Sequence, residues 1–247
     1  MQNTVIIDCF PGSVVRYRCG YTVVAVDVVR ATTTAATAVA SGRRCFPVAS
    51  VEAARRLACR IEGALLAGEQ GGAMPPGFDL NNSPTELLAR GDIARPLILL
   101  SSSGTRLLHE ASTCEATVVA CLRNYGSVAD HLARSLARVA LIGAGTRGEF
   151  REEDQMCCAW IAERMLARGY LPENGNTMDI ISRWSGAAVD SWVYNKSAAY
   201  LKASGQQADL EFILNHIGDL DATLTLRHGE VLIDQTALEL RAWNHAN

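Results

Sequence analysis

The chain has 247 residues, 49% of them hydrophobic and 20% charged, and its 20 glycines and 7 prolines sit near ordinary usage. Those proportions exclude a collagen-like, disordered or coiled-coil chain and suit one large domain or two small ones. A formal net charge of -3 argues against a nucleic-acid binder, but leaves room for a small anion held by a few locally placed arginines.

In chain order, strands are predicted over 4–9 and 22–28, a helix over 33–41, a strand over 45–49, a helix over 51–62 and a strand over 64–68. A helix over 84–90 follows, opened by Ser83-Pro84-Thr85-Glu86 with a hydroxyl cap, a proline at the first helical position and a capping-box glutamate. Then come strand 96–101, helix 105–111, strand 116–121, helix 125–136, strand 138–143 and helix 152–168. This alternation predicts an α/β layer fold. The runs PLILLS, ATVVAC and RVALIG are apolar throughout, as expected of strands covered by helices on both faces.

Past Gly169 the pattern changes to a polar turn, a segment around Trp184 and Trp192, helices over 197–203 and 210–217, and a hairpin pairing 222–226 with 231–234 across His228-Gly229-Glu230. Neither a fixed-period repeat nor a Pro/Gly/Ser-rich linker divides the chain, so 1–247 reads as a single α/β domain, with a smaller C-terminal subdomain from about 170 as the alternative. The N-terminal stretch reads as a first strand rather than a secretory leader, and its apolar runs are shorter than the roughly 18 residues a membrane span requires. Eight scattered cysteines with no C-x-x-C point to a cytoplasmic protein that uses thiols, Cys157 and Cys158 included, as small buried side chains.

Four loops stand out because each runs from an apolar strand into small hydroxyl residues or glycines and then a helix start. In open α/β sheets such loops build the ligand site. In VVAVDVVRATTT, Asp27 offers a metal ligand, base or nucleophile, and Arg30 with Thr32, Thr33 and Thr34 offers donors to an oxyanion; an N-capping threonine beside a surface ion pair is the plain alternative. In the second loop Glu69 and, further on, Asp79 are candidate metal or acid/base carboxylates, while Asn82 and Ser83 can donate hydrogen bonds. Ser101-Ser102-Ser103-Gly104-Thr105 has more hydroxyls than a helix cap needs and suits an anion. Gly143-Ala144-Gly145-Thr146-Arg147-Gly148 has G-x-G-x-x-G spacing, yet the acids that follow it would repel a pyrophosphate. Glu153 or Asp154 could instead share a Mg²⁺, or merely compensate the helix dipole. The five histidines, His109, His131, His216, His228 and His245, form no metal or nucleophile motif.

Taken together, DVVRATTTAATAVASG, GEQGG, GFDLNNSPTEL, LLSSSGT and LIGAGTRGEFREEDQMCCAWI stand in the order and approximate spacing of the motifs of the 2-phosphosulfolactate phosphatase family. The sequence resembles that family over about residues 23–161, and more weakly in SAAYLKASGQQADLEFIL. The resemblance implies a three-layer α/β/α sandwich with a mostly parallel or mixed central sheet, Mg²⁺ as cofactor, and hydrolysis of 2-phospho-3-sulfolactate to sulfolactate and phosphate. That reaction is best known from coenzyme M biosynthesis. A cytoplasmic homodimer acting on a small anionic phosphorylated substrate, without nucleic acid or membrane, is the expected setting.

With the loops above, the resemblance gives the expected site. Asp27, Arg30 and Glu69 are the catalytic residues, and Mg²⁺ takes a subset of Asp27, Glu69, Asp79 and Asp154. Substrate falls to Arg30, Thr32, Thr33, Asn82 and Ser83, to Ser102, Ser103, Gly104 and Thr105, and to Asn124, Gly145, Thr146 and Arg147. Arg123 and Lys196 are further cations for a second acidic group. Two differences from the family pattern touch the substrate: the serine loop lacks an asparagine expected before its glycine, and Gln70 and Asn81 stand where an arginine and a glycine are expected. A related enzyme with a different small anionic substrate, and a non-catalytic anion- or nucleotide-binding protein, are the competing readings.

Overall fold

The computed structural model of the chain describes residues 3–135 and 138–234. Its first half runs β1 (Thr4–Cys9), a 3-10 helix (Pro11–Tyr17), β2 (Tyr21–Val26), α1 (Ala31–Ala40), β3 (Cys45–Val48), α2 (Val51–Ala58), β4 (Leu65–Gly68) and α3 (Pro84–Leu88). Next come β5 (Leu97–Leu100), α4 (Gly104–Ala111), β6 (Ala116–Ala120), α5 (Tyr125–Leu132), β7 (Arg138–Gly143) and α6 (Glu152–Leu166). The last third adds β8 (Leu171–Pro172), α7 (Gly175–Trp184), α8 (Lys196–Ala203), α9 (Gln207–Asn215), β9 (Leu224–Arg227) and β10 (Glu230–Ile233). Every predicted strand and helix is present, β1 and β7 with the predicted ends and the others with shifted ones; Leu136, the predicted end of helix 125–136, and His245 lie outside the described residues.

Three elements are additional, among them the short edge strand β8, which pairs with β1. The 3-10 helix begins with Pro11, inside what reads as a strand-like N-terminus. Helix α7 hides in the polar Asn174-Gly175-Asn176-Thr177, because the Asn174 side chain caps it by accepting the Thr177 N–H.

All ten strands join one mixed sheet in the order β4-β5-β3-β10-β9-β6-β2-β7-β1-β8. It consists of two parallel blocks, β4-β5-β3 and β6-β2-β7-β1-β8, with the antiparallel C-terminal hairpin β9–β10 between them. The hairpin turns on His228-Gly229, both at positive φ, which is the backbone a two-residue turn requires.

Residue alternation decides the layers, since neighbours along a strand face opposite sides of a sheet. Val23 and Ala25 of β2, Cys45 of β3, Leu97 and Leu99 of β5, and Leu224 and Val231 of the hairpin share one core with α1 and α4. On the other face, Val24 and Val26 of β2 and Val118 and Ala120 of β6 pack on α5 and α6, while Phe46, Ile98 and Leu100 pack on α2. The result is helix, sheet, helix: the expected three-layer α/β/α sandwich.

Crossing the hairpin reverses strand direction between the blocks. Twist compensates, because roughly 20–25° per strand pair over the five steps from β2 to β5 turns one block by about 100–125° against the other. Helices α1 and α4 pack against strands of both blocks, and the carboxyl ends of β2, β7, β4 and β5 meet at one cleft.

Candidate active site

Asp27 follows β2 directly. Its loop is closed by Thr32, whose hydroxyl accepts the Asp27 N–H at 2.9 Å and donates to the Asp27 carbonyl at 2.8 Å. The Asp27 Oδ1 accepts the Ala31 N–H of the α1 N-terminus at 3.2 Å. From α6, the Asp154 Oδ1 accepts the Val28 N–H at 2.7 Å and so pins the same loop from behind. A methyl group on Gly104 would lie 2.1 Å from the Asp27 Oδ2 and 2.6 Å from the Ala31 Cβ, so only glycine lets the α4 N-terminus approach this carboxylate.

The opposite block brings neutral donors. The Glu69 carboxylate, after β4, accepts the Ser102 N–H at 2.7 Å, the Ser102 hydroxyl at 2.9 Å and the Gly72 N–H at 2.7 Å, joining the loops after β4 and β5. Gly68 permits that approach, since a Cβ there would stand 2.2 Å from the Leu100 carbonyl oxygen. Gly71-Gly72 forms a two-residue turn closed by Gln70 and Ala73.

The G-x-G-x-x-G segment is a hairpin turn and not a dinucleotide loop. Thr146 and Glu149 exchange backbone hydrogen bonds of 2.8 and 3.0 Å, with Arg147 and Gly148 at positive φ at the tip, and α6 starts only at Glu152. The Ser103 and Thr146 hydroxyls meet at 3.5 Å across the two blocks.

Between these loops lies a cleft of about 840 Å³. It takes in Asp27, Arg30, Glu69, Asn82, Ser102, Ser103, Gly145, Thr146 and Arg147 among the expected residues, together with Lys196. The rest form its frame. The Thr33 hydroxyl donates to the Val28 carbonyl and that of Thr105 to the Ser101 carbonyl, and like Thr32 both are buried within their own loops. Ser83 caps α3, and Asn124 is spent on the Cys121 N–H and the Val119 and Ala222 carbonyls. Asp79 lies outside the cleft: its carboxylate is exposed and accepts the Leu66 N–H. Arg123 is likewise engaged elsewhere, by Asp219 and the Thr37 hydroxyl. A second hollow of about 490 Å³ on the outer face of the hairpin is lined by Arg44 and Glu230, already paired with each other, and holds no buried carboxylate cluster.

Sequence reasoning missed Arg106, Arg151, Tyr200 and Phe10 in the cleft. Arg106 was detectable, since it directly follows Ser101-Ser102-Ser103-Gly104-Thr105 as the third residue of α4; Phe10 and Tyr200 stand in no polar motif. Among the described residues Arg106 and Arg147 make no hydrogen bond or ion pair, whereas Lys196 and Arg151 both reach Glu149, at 2.7 and 3.6 Å.

The electrostatics are lopsided. Burial, reinforced by Glu69 and Glu153, pushes the Asp27 pKa up to about 7, against the pull of the Ala31 N–H and Arg30. Asp154 is raised well above the usual carboxylate range by burial and by the charges of Asp27 and Glu153. Glu153 is raised by burial, with Ser197 and Asn195 hydrogen bonds opposing. Asp27 thus lines the cleft with Glu153 and Asp154 buried behind its loop, outside the lining, while the unpaired guanidinium groups of Arg106 and Arg147 face the cleft.

Such a cleft, at the carboxyl ends of strands in an α/β/α fold, defines a site for a small multiply anionic molecule handled beside buried acids. A model of the family described as 2-phosphosulpholactate phosphatase matches residues 11–225, and the chain belongs to that family. It is 32% identical over 222 residues to a "probable 2-phosphosulfolactate phosphatase" of Symbiobacterium thermophilum, covering 87% of this chain and 94% of that one. It is 34% identical over 212 residues to the protein of the same name in Thermus thermophilus, covering 83% and 87%. The match to the corresponding Carboxydothermus hydrogenoformans protein is 43% over 133 residues, and spans about half of either chain: 53% of this one and 55% of that one. No described helix is long and apolar enough to cross a membrane.

Proposed function

We propose that the chain is a phosphoric monoester hydrolase that converts 2-phospho-3-sulfolactate and water to sulfolactate and inorganic phosphate. The observation that carries this reading is the juxtaposition of Asp27, buried but opening on the cleft, with the unpaired Arg106 and Arg147. Phosphoryl transfer needs positioning and charge neutralisation above all. The substrate has three acidic groups, so cations beyond those at the phosphate have a use.

Mg²⁺ suits the acid end. No three His, Cys, Asp or Glu side chains converge as a metal cage among the described residues. Mg²⁺ does not require one, since it is usually held by one or two carboxylates, waters and the substrate phosphate. Asp27, which lines the cleft, and Asp154, buried behind its loop, are the pair that fits: both pKa values are raised, the Asp27 charge contributes to the Asp154 shift, and a divalent cation would relieve that repulsion. Glu69 is occupied by the Ser102 and Gly72 donors, and Asp79 faces away. When bound there, Mg²⁺ neutralises charge on the phosphoryl oxygens.

The chain's own groups do the rest. Arg30 donates to the phosphoryl group from beside Asp27, the Ser102 and Ser103 hydroxyls donate from the opposite wall, and Arg106 and Arg147 hold the sulfonate and carboxylate. A non-catalytic anion binder would have no use for a buried acid lining its cleft with two more behind it, which disfavours that reading.

Phosphate release from a panel of phosphorylated hydroxy acids tests the proposal. Turnover with Mg²⁺, its loss in EDTA, and faster release from 2-phosphosulfolactate than from 2-phospholactate are expected. Release from no member of the panel would refute it.

A further inference from the structure

We propose that Asp209, at the start of α9, is a positioning residue that orients Arg30 and Asn82 toward the phosphoryl group of the ligand. The inference rests on the phosphatase reading only for the identity of that ligand. Arg30 and Asp209 form a buried ion pair, Nη1 to Oδ2 at 2.6 Å, with side chains 3% and 1% exposed and 179 positions apart in sequence. The other oxygen, Oδ1, accepts the Ser83 hydroxyl at 2.7 Å, the Thr85 hydroxyl at 2.6 Å and the Thr85 N–H at 3.2 Å. One carboxylate therefore ties the loop after β2 to the start of α3.

What it ties down faces the cleft. Within the described residues the Arg30 guanidinium bonds only to Asp209, so Nε and Nη2 remain for a ligand. Asn82 immediately precedes the Ser83 that Asp209 holds; it also lines the cleft, and its amide NH₂, which has no partner among the described residues, can donate to a phosphoryl oxygen. A carboxylate beside an anion-binding arginine lowers the local positive charge, so it does not serve attraction. Its benefit is geometric: a planar guanidinium fixed at one nitrogen presents the other two in a fixed fork.

Asp209→Asn is close to isosteric but offers one acceptor oxygen. The Thr85 N–H can only donate, so that oxygen stays with Ser83 and Thr85, and the amide NH₂ turns against Arg30, which also only donates. The expected result is orthophosphate binding, measured calorimetrically with Mg²⁺ present, weakened about tenfold or more, the scale of a lost charge-assisted contact. In Arg30→Ala, added guanidinium should restore phosphate binding while Asp209 is intact, and should not do so in the Arg30→Ala/Asp209→Asn double variant. Arg30→Lys keeps the charge and Asp209; because an ammonium cannot fork, it should bind phosphate as weakly as Arg30→Ala, a test that does not require Asp209→Asn to fold.

Wild-type affinity in Asp209→Asn or in Arg30→Lys, or guanidinium rescue that ignores Asp209, would overturn the proposal. The two readings part cleanly. A wild type that binds orthophosphate but releases none from 2-phosphosulfolactate removes the substrate assignment, while the Asp209 comparison still decides positioning. Normal turnover with unchanged phosphate affinity in Asp209→Asn removes positioning alone. A wild type that binds no orthophosphate removes both.

Discussion

The two walls of the cleft are built from the two parallel blocks of one sheet, and they differ in kind. The β6-β2-β7-β1-β8 block supplies Asp27 at the end of β2 and, from the helix after β7, Glu153 and Asp154, all buried and all with raised pKa values. The β4-β5-β3 block supplies Ser102, Ser103 and Arg106, and its one acid, Glu69, is tied down by two N–H groups and a hydroxyl. One wall holds buried acids whose ionisation is disfavoured, and the other presents hydroxyl donors and the unpaired Arg106. Ionising acids this buried and this close together is costly unless a cation joins them. Under the proposed function, the first wall is where a metal would bind and the second is where the substrate would be oriented.

Substitutions that exchange these characters should separate the walls. Asp154→Asn should reduce phosphate release by about 10²–10³-fold, the scale of lost electrostatic stabilisation, and should abolish the stabilisation that Mg²⁺ gives in thermal unfolding. The metal-free Asp154→Asn chain should nevertheless melt higher than the wild type, because one of three mutually repelling acids is gone; a lower melting temperature would mean the acid is stabilising as it stands. Gly104→Ala joins the walls too closely, with its methyl group 2.1 Å from the Asp27 Oδ2. It should lose about 1–3 kcal/mol of stability through overpacking and roughly tenfold or more in activity. Unfolding curves together with kcat would show both, and an unaffected kcat would disconnect this contact from the chemistry.

The pH response should follow the first wall. The folded pKa of Asp27 is raised from 3.8 to about 7, so its contribution to stability is present at low pH and is lost as pH rises through about 7. Asp154 and Glu153 shift in the same direction. Without metal, the melting temperature should fall from about pH 5 to pH 8, and the increment produced by Mg²⁺ should grow over the same window. An increment that shrinks with pH would contradict the placement of the cation. The smallest effect is expected at the tip of the Thr146–Glu149 turn, where Arg147→Ala should raise KM a few-fold and leave kcat nearly intact.

Much of this was legible from the residue pattern. β1 and β7 form where the apolar runs place them, and four strand-to-loop transitions do converge. The hydroxyls were harder, because a threonine at a helix start reads alike whether it points at a ligand or back at its own loop. Thr32, Thr33 and Thr105 point back, as their hydrogen bonds show. Gly104 reads as an anion cradle and proves to be a spacer for Asp27. Asp209 left no local trace, since its significance arises only when α9 packs on Arg30. The G-x-G-x-x-G spacing misleads for a backbone reason: positive φ at Arg147 and Gly148 folds it into a hairpin before the helix begins.

The central claim is that Asp27 and a divalent cation at the first wall act on a phosphate ester held by the second. The direct measurement is phosphate release from 2-phosphosulfolactate by the wild type and by Asp27→Asn, each with Mg²⁺ and in EDTA. The account predicts metal-dependent release by the wild type, and a residual rate in Asp27→Asn that is at least about 10³-fold lower and indifferent to metal. Equal rates in the two proteins, or wild-type release unchanged by EDTA, would contradict it.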